Sequence, residues 1–144
     1  MGKRTKAREC AFQMLYQWDI GKEPMDRVTN AFWQVRTTTD ETRAVAERLA
    51  RGAQAHAPAI DAVISEVATN WRLDRIASVD LNILRIGAYE LMMEPQTPPA
   101  VVLDEAVEMA KRFGEAGSPA FVNGVLDAIR GRLEAEARAG GPRG

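Results

Sequence analysis

Val79-Asp80-Leu81-Asn82-Ile83-Leu84-Arg85-Ile86-Gly87-Ala88-Tyr89-Glu90-Leu91-Met92-Met93 places apolar side chains on nearly every side of a helix drawn through it. Val79, Ile83, Ile86 and Gly87 make one stripe, and Leu81, Leu84, Ala88 and Leu91 make an overlapping one. A helix that is apolar almost all round must be covered on several sides, so this one belongs in the middle of a helical assembly with its neighbours as walls. Gly87 costs a helix interior about 1 kcal/mol relative to Ala, and its expected use is to let a neighbouring backbone come close. Of the charged members, Arg85 and Glu90 are expected in buried pairs that orient the helices, because an unpaired charge inside a protein is prohibitive.

Outward from this stretch the chain reads as helices in both directions. Arg72-Leu73-Asp74 is a short connection, preceded by a helix that opens at Pro58 and keeps Ile60, Val63, Ile64, Val67 and Trp71 in register. Pro95, Pro98 and Pro99 stop the central helix, and Val102, Ala106, Met109, Ala110 and Phe113 carry the next one to Gly114. Ser118-Pro119 reads as N-cap and first turn of the last helix. Asn123-Gly124 within it is a strong hairpin signal. The hairpin is rejected because Phe121, Val122, Val125, Leu126, Ile129 and Leu133 hold a helical period straight through the dipeptide. Its cost to a helix suggests close packing or a ligand contact there.

In the first half, Ala7, Ala11, Met14, Leu15 and Trp18 recur at helical spacing until Gly21. Pro24 opens a second helix with Met25, Val28, Phe32 and Val35 on one face, and residues 37–40 break it. Thr38 with Glu41 three residues on is a capping-box pattern for a third, whose Val45, Leu49 and Gly52 or Ala53 mark the buried side; His56-Ala57-Pro58 ends it. No strand is needed. The expected fold is all-α, about seven helices in two small three-helix-like bundles sharing the buried central helix. The expectation is a single domain over residues 1–138, with sub-bundles near 4–57 and 58–138 and a disordered tail at 139–144.

The chain has 144 residues, is 46% apolar and 27% charged, and its net charge of −1 leaves no global basic field. Any nucleic-acid binding must therefore come from a local patch. The single cysteine, Cys10, excludes an internal disulfide framework, and no stretch approaches a membrane span. Neither a signal peptide nor a myristoylation signal is read at the N-terminus, so a cytoplasmic protein is expected. His56 is the lone histidine and no cysteine spacing suits a metal, so no metal and no cofactor are expected. Asp104, Glu105 and Glu108 sit where the dipole of their helix favours carboxylates, which is a structural role rather than acid-base catalysis. The glycines form no phosphate-binding loop and Ser118 lacks the surroundings of a nucleophile. No catalytic residues are assigned.

The sharpest local asymmetry is Lys3, Arg4, Lys6 and Arg8, ahead of the first acid, Glu9. Cations beside a helix N-terminus oppose its dipole, whereas a bound phosphate would reconcile the two. A solvated, frayed terminus is the competing reading. Tyr16 and Trp18 follow on the same helix, and Phe121 opens the last helix after a glycine-rich loop. Basic groups with aromatic faces are the means by which single-stranded nucleic acid is held. Helical spacing favours the core for Trp18 and leaves Phe121 open.

Four ordered blocks are similar to the NusB family: Ala7-Arg8-Glu9-Cys10-Ala11 with Leu15-Tyr16-Gln17-Trp18, then Leu84 to Leu91, Asp104 to Lys111, and Phe121-Val122-Asn123-Gly124-Val125-Leu126. The resemblance covers almost the whole chain, apart from a poorly matched segment at 21–67. It implies an all-helical fold of two bundles and a transcription antitermination factor that binds the single-stranded boxA element of ribosomal-RNA leader transcripts. The implied partners are NusE, a small-subunit ribosomal protein, and the RNA polymerase antitermination complex; a homodimer is a further possibility. Carried over by position, the RNA-facing residues would be Lys3, Arg4, Lys6, Arg8, Tyr16, Lys111 and Phe121, and the partner-facing group would centre on Asp80. Thr5 and Gly117 depart from the family pattern, where an arginine run and an acidic loop are common. A helical protein adaptor without RNA contact is the alternative, and an enzyme of the ribosomal-RNA methyltransferase kind is set aside because no βαβ cofactor unit is present.

Overall fold

The computed structural model describes residues 2–140. Its helices are α1 (Lys3–Gly21), α2 (Met25–Val35), α3 (Asp40–Ala55), α4 (Ala57–Val67), α5 (Ser78–Met93), α6 (Pro99–Phe113) and α7 (Ser118–Ala139), with one 3-10 turn at Leu73–Arg75. Among the described residues there is no strand. The tail expected at 139–144 falls mostly outside the described residues, and α7 runs on through Ala139. None of the helices described is long and apolar enough to cross a membrane.

The central helix is buried as its composition requires. Ten consecutive residues, Leu81 to Glu90, are buried in α5, which packs against α1, α3, α4, α6 and α7. The first three helices pack on one another on one side of it, and α4, α6 and α7 cover the other. The expected all-α architecture of two helix groups around a shared helix is what forms.

Glycines set two of these contacts. Gly87 faces the side chain of Leu126 on α7, whose Cδ1 would lie 2.7 Å from an added Cβ, so the close neighbour is a leucine rather than the expected backbone. Gly52 on α3 leaves the space that the Tyr89 ring fills. Gly124, by contrast, has nothing within reach of a Cβ, so the Asn123-Gly124 dipeptide sits on the open face of α7 without close packing.

Local chemistry moves several boundaries. Helix α1 begins at Lys3, which draws the basic residues into its first two turns, and it ends with Lys22 at φ 56°, one residue beyond Gly21. Thr39, not Thr38, caps α3, with its Oγ1 accepting from the Thr42 N–H at 3.1 Å. Ser118 is the first residue of α7 rather than its cap; its Oγ accepts from the Glu115 N–H at 3.0 Å and closes the preceding loop. Helix α4 stops at Val67 because Thr69-Asn70 prefers a turn, which leaves Trp71 outside the helix and half exposed instead of on its buried stripe.

Three arginines fasten the neighbours to α5. Arg8 of α1 donates to both carboxylate oxygens of Glu90 at 2.8 and 2.9 Å. Arg85 of α5 makes a two-pronged pair with Asp61 of α4 at 2.9 Å for each bond, and also lies 3.2 Å from Asp19 of α1. Arg48 of α3 holds Glu94, just past the end of α5, at 3.1 and 2.9 Å. Arg85 and Glu90 are thus buried and paired, as expected, though not with each other.

Replacing Gly52 with Ala is expected to force the Tyr89 ring aside and to lower stability by about 1–3 kcal/mol, measured by urea unfolding followed by circular dichroism.

Candidate nucleic-acid interface

The expected site residues divide by burial. Lys3, Arg4 and Lys6 project from the first two turns of α1 and are exposed. Lys3 reaches Glu41 of α3 at 2.9 Å, and Arg4 lies close enough to act on the same carboxylate. Arg8 is a correction. Its side chain is only 3% exposed and spent on carboxylates: the two oxygens of Glu90, and Glu105 of α6 at 3.2 Å. Burial works against its charge, but hydrogen bonds and proximity to Glu90 and Glu105 outweigh it and hold the guanidinium above its ordinary pKa. With three of its five N–H donors on carboxylates and its side chain buried, Arg8 stands beneath the exposed cationic surface and not on it. Thr5 donates from its hydroxyl to the same Glu105, so the basic turn of α1 is anchored to α5 and α6 from beneath.

The aromatic residues form a ribbon from α1 to α7. Tyr16 is partly buried with its ring 6.2 Å from Phe12, and Phe12 lies 5.2 Å from Phe113 at the end of α6. Phe113 in turn borders a cleft of about 430 Å³, lined also by Trp71, Arg75, Asp80, Ser118 and Phe121. Phe121 is half-buried and meets Trp71 edge-on at 6.1 Å. Trp18 is partly buried against the core, in line with its spacing. Phe121 therefore belongs both to the packing and to the cleft wall.

Asp80 stands in the first turn of α5, where the helix dipole favours a carboxylate. It faces the cleft that holds Phe121, and its Oδ1 is shielded from solvent without a hydrogen-bond partner among the described residues. A shielded acceptor left without a partner keeps the cost of its lost hydration. Lys111 is exposed near the end of α6 and rests 3.3 Å from Glu108. Its neighbour Arg112 holds Glu9 of α1 at 2.7 Å, which ties the end of α6 to α1 beside the ribbon.

Trp71 was missed in the sequence because it continues the apolar stripe of α4; Thr69-Asn70 was the available signal that the helix stops first. The Cys10 thiol is buried and pushed up by that burial, and among the described residues no group of three or more His, Cys, Asp or Glu side chains is placed to hold a metal.

A small all-helical module with cations on an anchored helix end, and aromatic rings around a carboxylate-lined cleft, has the composition of a binding protein. The chain belongs to the NusB family, whose model matches residues 5–130. It is 48% identical over 133 residues to the transcription antitermination protein NusB of Sorangium cellulosum, covering 92% of this chain and 95% of that one. It is 45% identical over 137 residues to the same-named protein of Anaeromyxobacter sp., covering 94% and 95%. Among solved structures, T. maritima NusB superposes with a TM-score of 0.82 at 31% identity, covering 94% of this chain and 98% of that one. A crystal structure of antitermination factors NusB and NusE in complex with dsRNA superposes with a TM-score of 0.83 at 29% identity, covering 92% and 98%.

Removing Arg8 would leave Glu90 buried without its counter-charge. Arg8→Ala is expected to lose about 3–5 kcal/mol of stability, whereas Lys6→Ala at the exposed face leaves urea unfolding essentially unchanged.

Proposed function

We propose that this chain is a non-catalytic transcription antitermination factor of the cytoplasm, which binds the boxA element of ribosomal-RNA leader transcripts together with NusE. The observation that carries this reading is the cleft in which Phe121 and Trp71 stand beside the shielded carboxylate oxygen of Asp80. It is supported by family membership and by a similar solved NusB bound to NusE and RNA.

In this reading Lys3, Arg4, Lys6 and Lys111 neutralise phosphates, while Tyr16 and Phe121 offer ring faces to bases. Asp80 marks the part of the surface that faces the partner protein. Arg8 acts beneath the surface, holding α1 at the pitch that presents its cations. Coincident binding to RNA and NusE supplies selectivity that neither contact has alone, and NusE joins the factor to the RNA polymerase antitermination complex.

Fluorescence anisotropy with a labelled boxA-like RNA and a scrambled control, with and without NusE, tests this directly. Neutralising four phosphates predicts a loss of about fifty-fold in affinity between about 50 and 200 mM salt, from a single-strand slope near −0.7 per phosphate. A flat salt response, or equal binding of both RNAs with NusE present, overturns the reading. Phe121→Ala is expected to weaken boxA binding by about 5- to 150-fold, as loss of one base stack of about 1–3 kcal/mol requires, with circular dichroism confirming that the variant folds.

A further inference from the structure

The cationic surface does not stop at α1. Residues 36–39 link α2 to α3, and two arginines flank this corner on aromatic seats. The guanidinium of Arg36 lies 4.5 Å from the centre of the Phe32 ring, and that of Arg43 lies 5.4 Å from the centre of the Trp33 ring. The two rings are themselves in edge contact at 4.9 Å, so both arginines rest on one aromatic pair. An arginine held flat on a ring loses little further freedom when its N–H edge meets a phosphate, and this makes it a pre-formed phosphate grip.

The corner adjoins the basic turn of α1. Lys3 bridges to Glu41 in the first turn of α3, and Lys6 and Arg36 both lie near enough to Cys10 to act on its thiol. Lys3, Arg4, Lys6, Arg36 and Arg43 therefore share this end of the molecule. The carboxylates that face them are Asp40, Glu41 and Glu47; Glu41 is taken up by Lys3, and Glu47 is shared by Arg43 at 3.2 Å and Arg51 at 3.4 Å. Arg4, Lys6 and Arg36 have no ion-pair partner among the described residues, and the exposed Thr37 hydroxyl adds a donor beside them.

We infer that the RNA path continues beyond α1 onto the α2–α3 corner, where Arg36 and Arg43 on their aromatic seats bind phosphates of nucleotides flanking the boxA contact. The inference rests on the RNA reading given above and adds a second, sequence-indifferent segment to it. Phosphate contacts of this type fix register and lengthen the footprint without selecting bases.

The test compares a short boxA-like RNA with versions extended by a few uridines at the 5′ or the 3′ end, bound to the wild-type chain with NusE and to the R36Q/R43Q double variant. One extension is expected to tighten wild-type binding, with a gain that grows about seven-fold between about 200 and 50 mM salt, as two further phosphates require. The double variant is expected to lose that gain while binding the short RNA as the wild type does. Binding of the short RNA with no gain from either extension overturns this inference and leaves the RNA reading standing, as does a full gain in a folded double variant. Failure of the wild type to bind the short RNA overturns both.

Discussion

The structure depends on buried charge along α5. A helix whose surface is apolar nearly all round is attracted to its neighbours without direction, so the hydrophobic effect alone leaves it free to rotate or slide. Arg85 and Glu90 remove that freedom, because each is buried and each must find its counter-charge in one geometry. The two-pronged pairs to Asp61 of α4 and from Arg8 of α1, with Arg48 of α3 on Glu94, fix three neighbours against the central helix. Burying such ions is expensive and adds little net stability over an apolar substitute; here it sets register.

Register is what the binding surface needs. The same helix α1 buries Ala7, Ala11, Met14 and Leu15 and carries Lys3, Arg4 and Lys6 on its outer side. A rotation of α1 by a fraction of a turn would aim these cations elsewhere, and Arg8 and Thr5 on Glu105 prevent it. At the other end of the surface, Phe113 and Phe121 stand on helices and are held by packing against the core, which fixes these two walls of the cleft.

What the sequence made legible follows the same division. The central helix, its neighbours and the need to pair Arg85 and Glu90 could be read from periodicity and the cost of buried charge. The partners could not, because Asp61, Asp19 and Arg8 are distant in sequence and look like ordinary surface charges. By charge alone Arg8 is indistinguishable from Lys3, Arg4 and Lys6. Its position three residues before Ala11 and seven before Leu15 put it on the apolar stripe, and that was the available sign of burial. Trp71 is the converse case, an apolar residue in register with a helix that ends before it, at Val67, ahead of the Thr69-Asn70 turn. Asp80 and Phe121 were both named from the sequence, but only the fold puts them on one cleft.

The Arg8 pairs also impose an order of events on the newborn chain. Helix α1 is made before α5 and α6, yet the carboxylates that hold it lie on those helices, 82 and 97 residues further on. Contacts so distant in sequence form late, after the intervening chain has been made and gathered. The cations of α1 therefore become a defined surface only when α6 has left the ribosome, and a nascent chain lacking it carries the charges but not the shape that would use them.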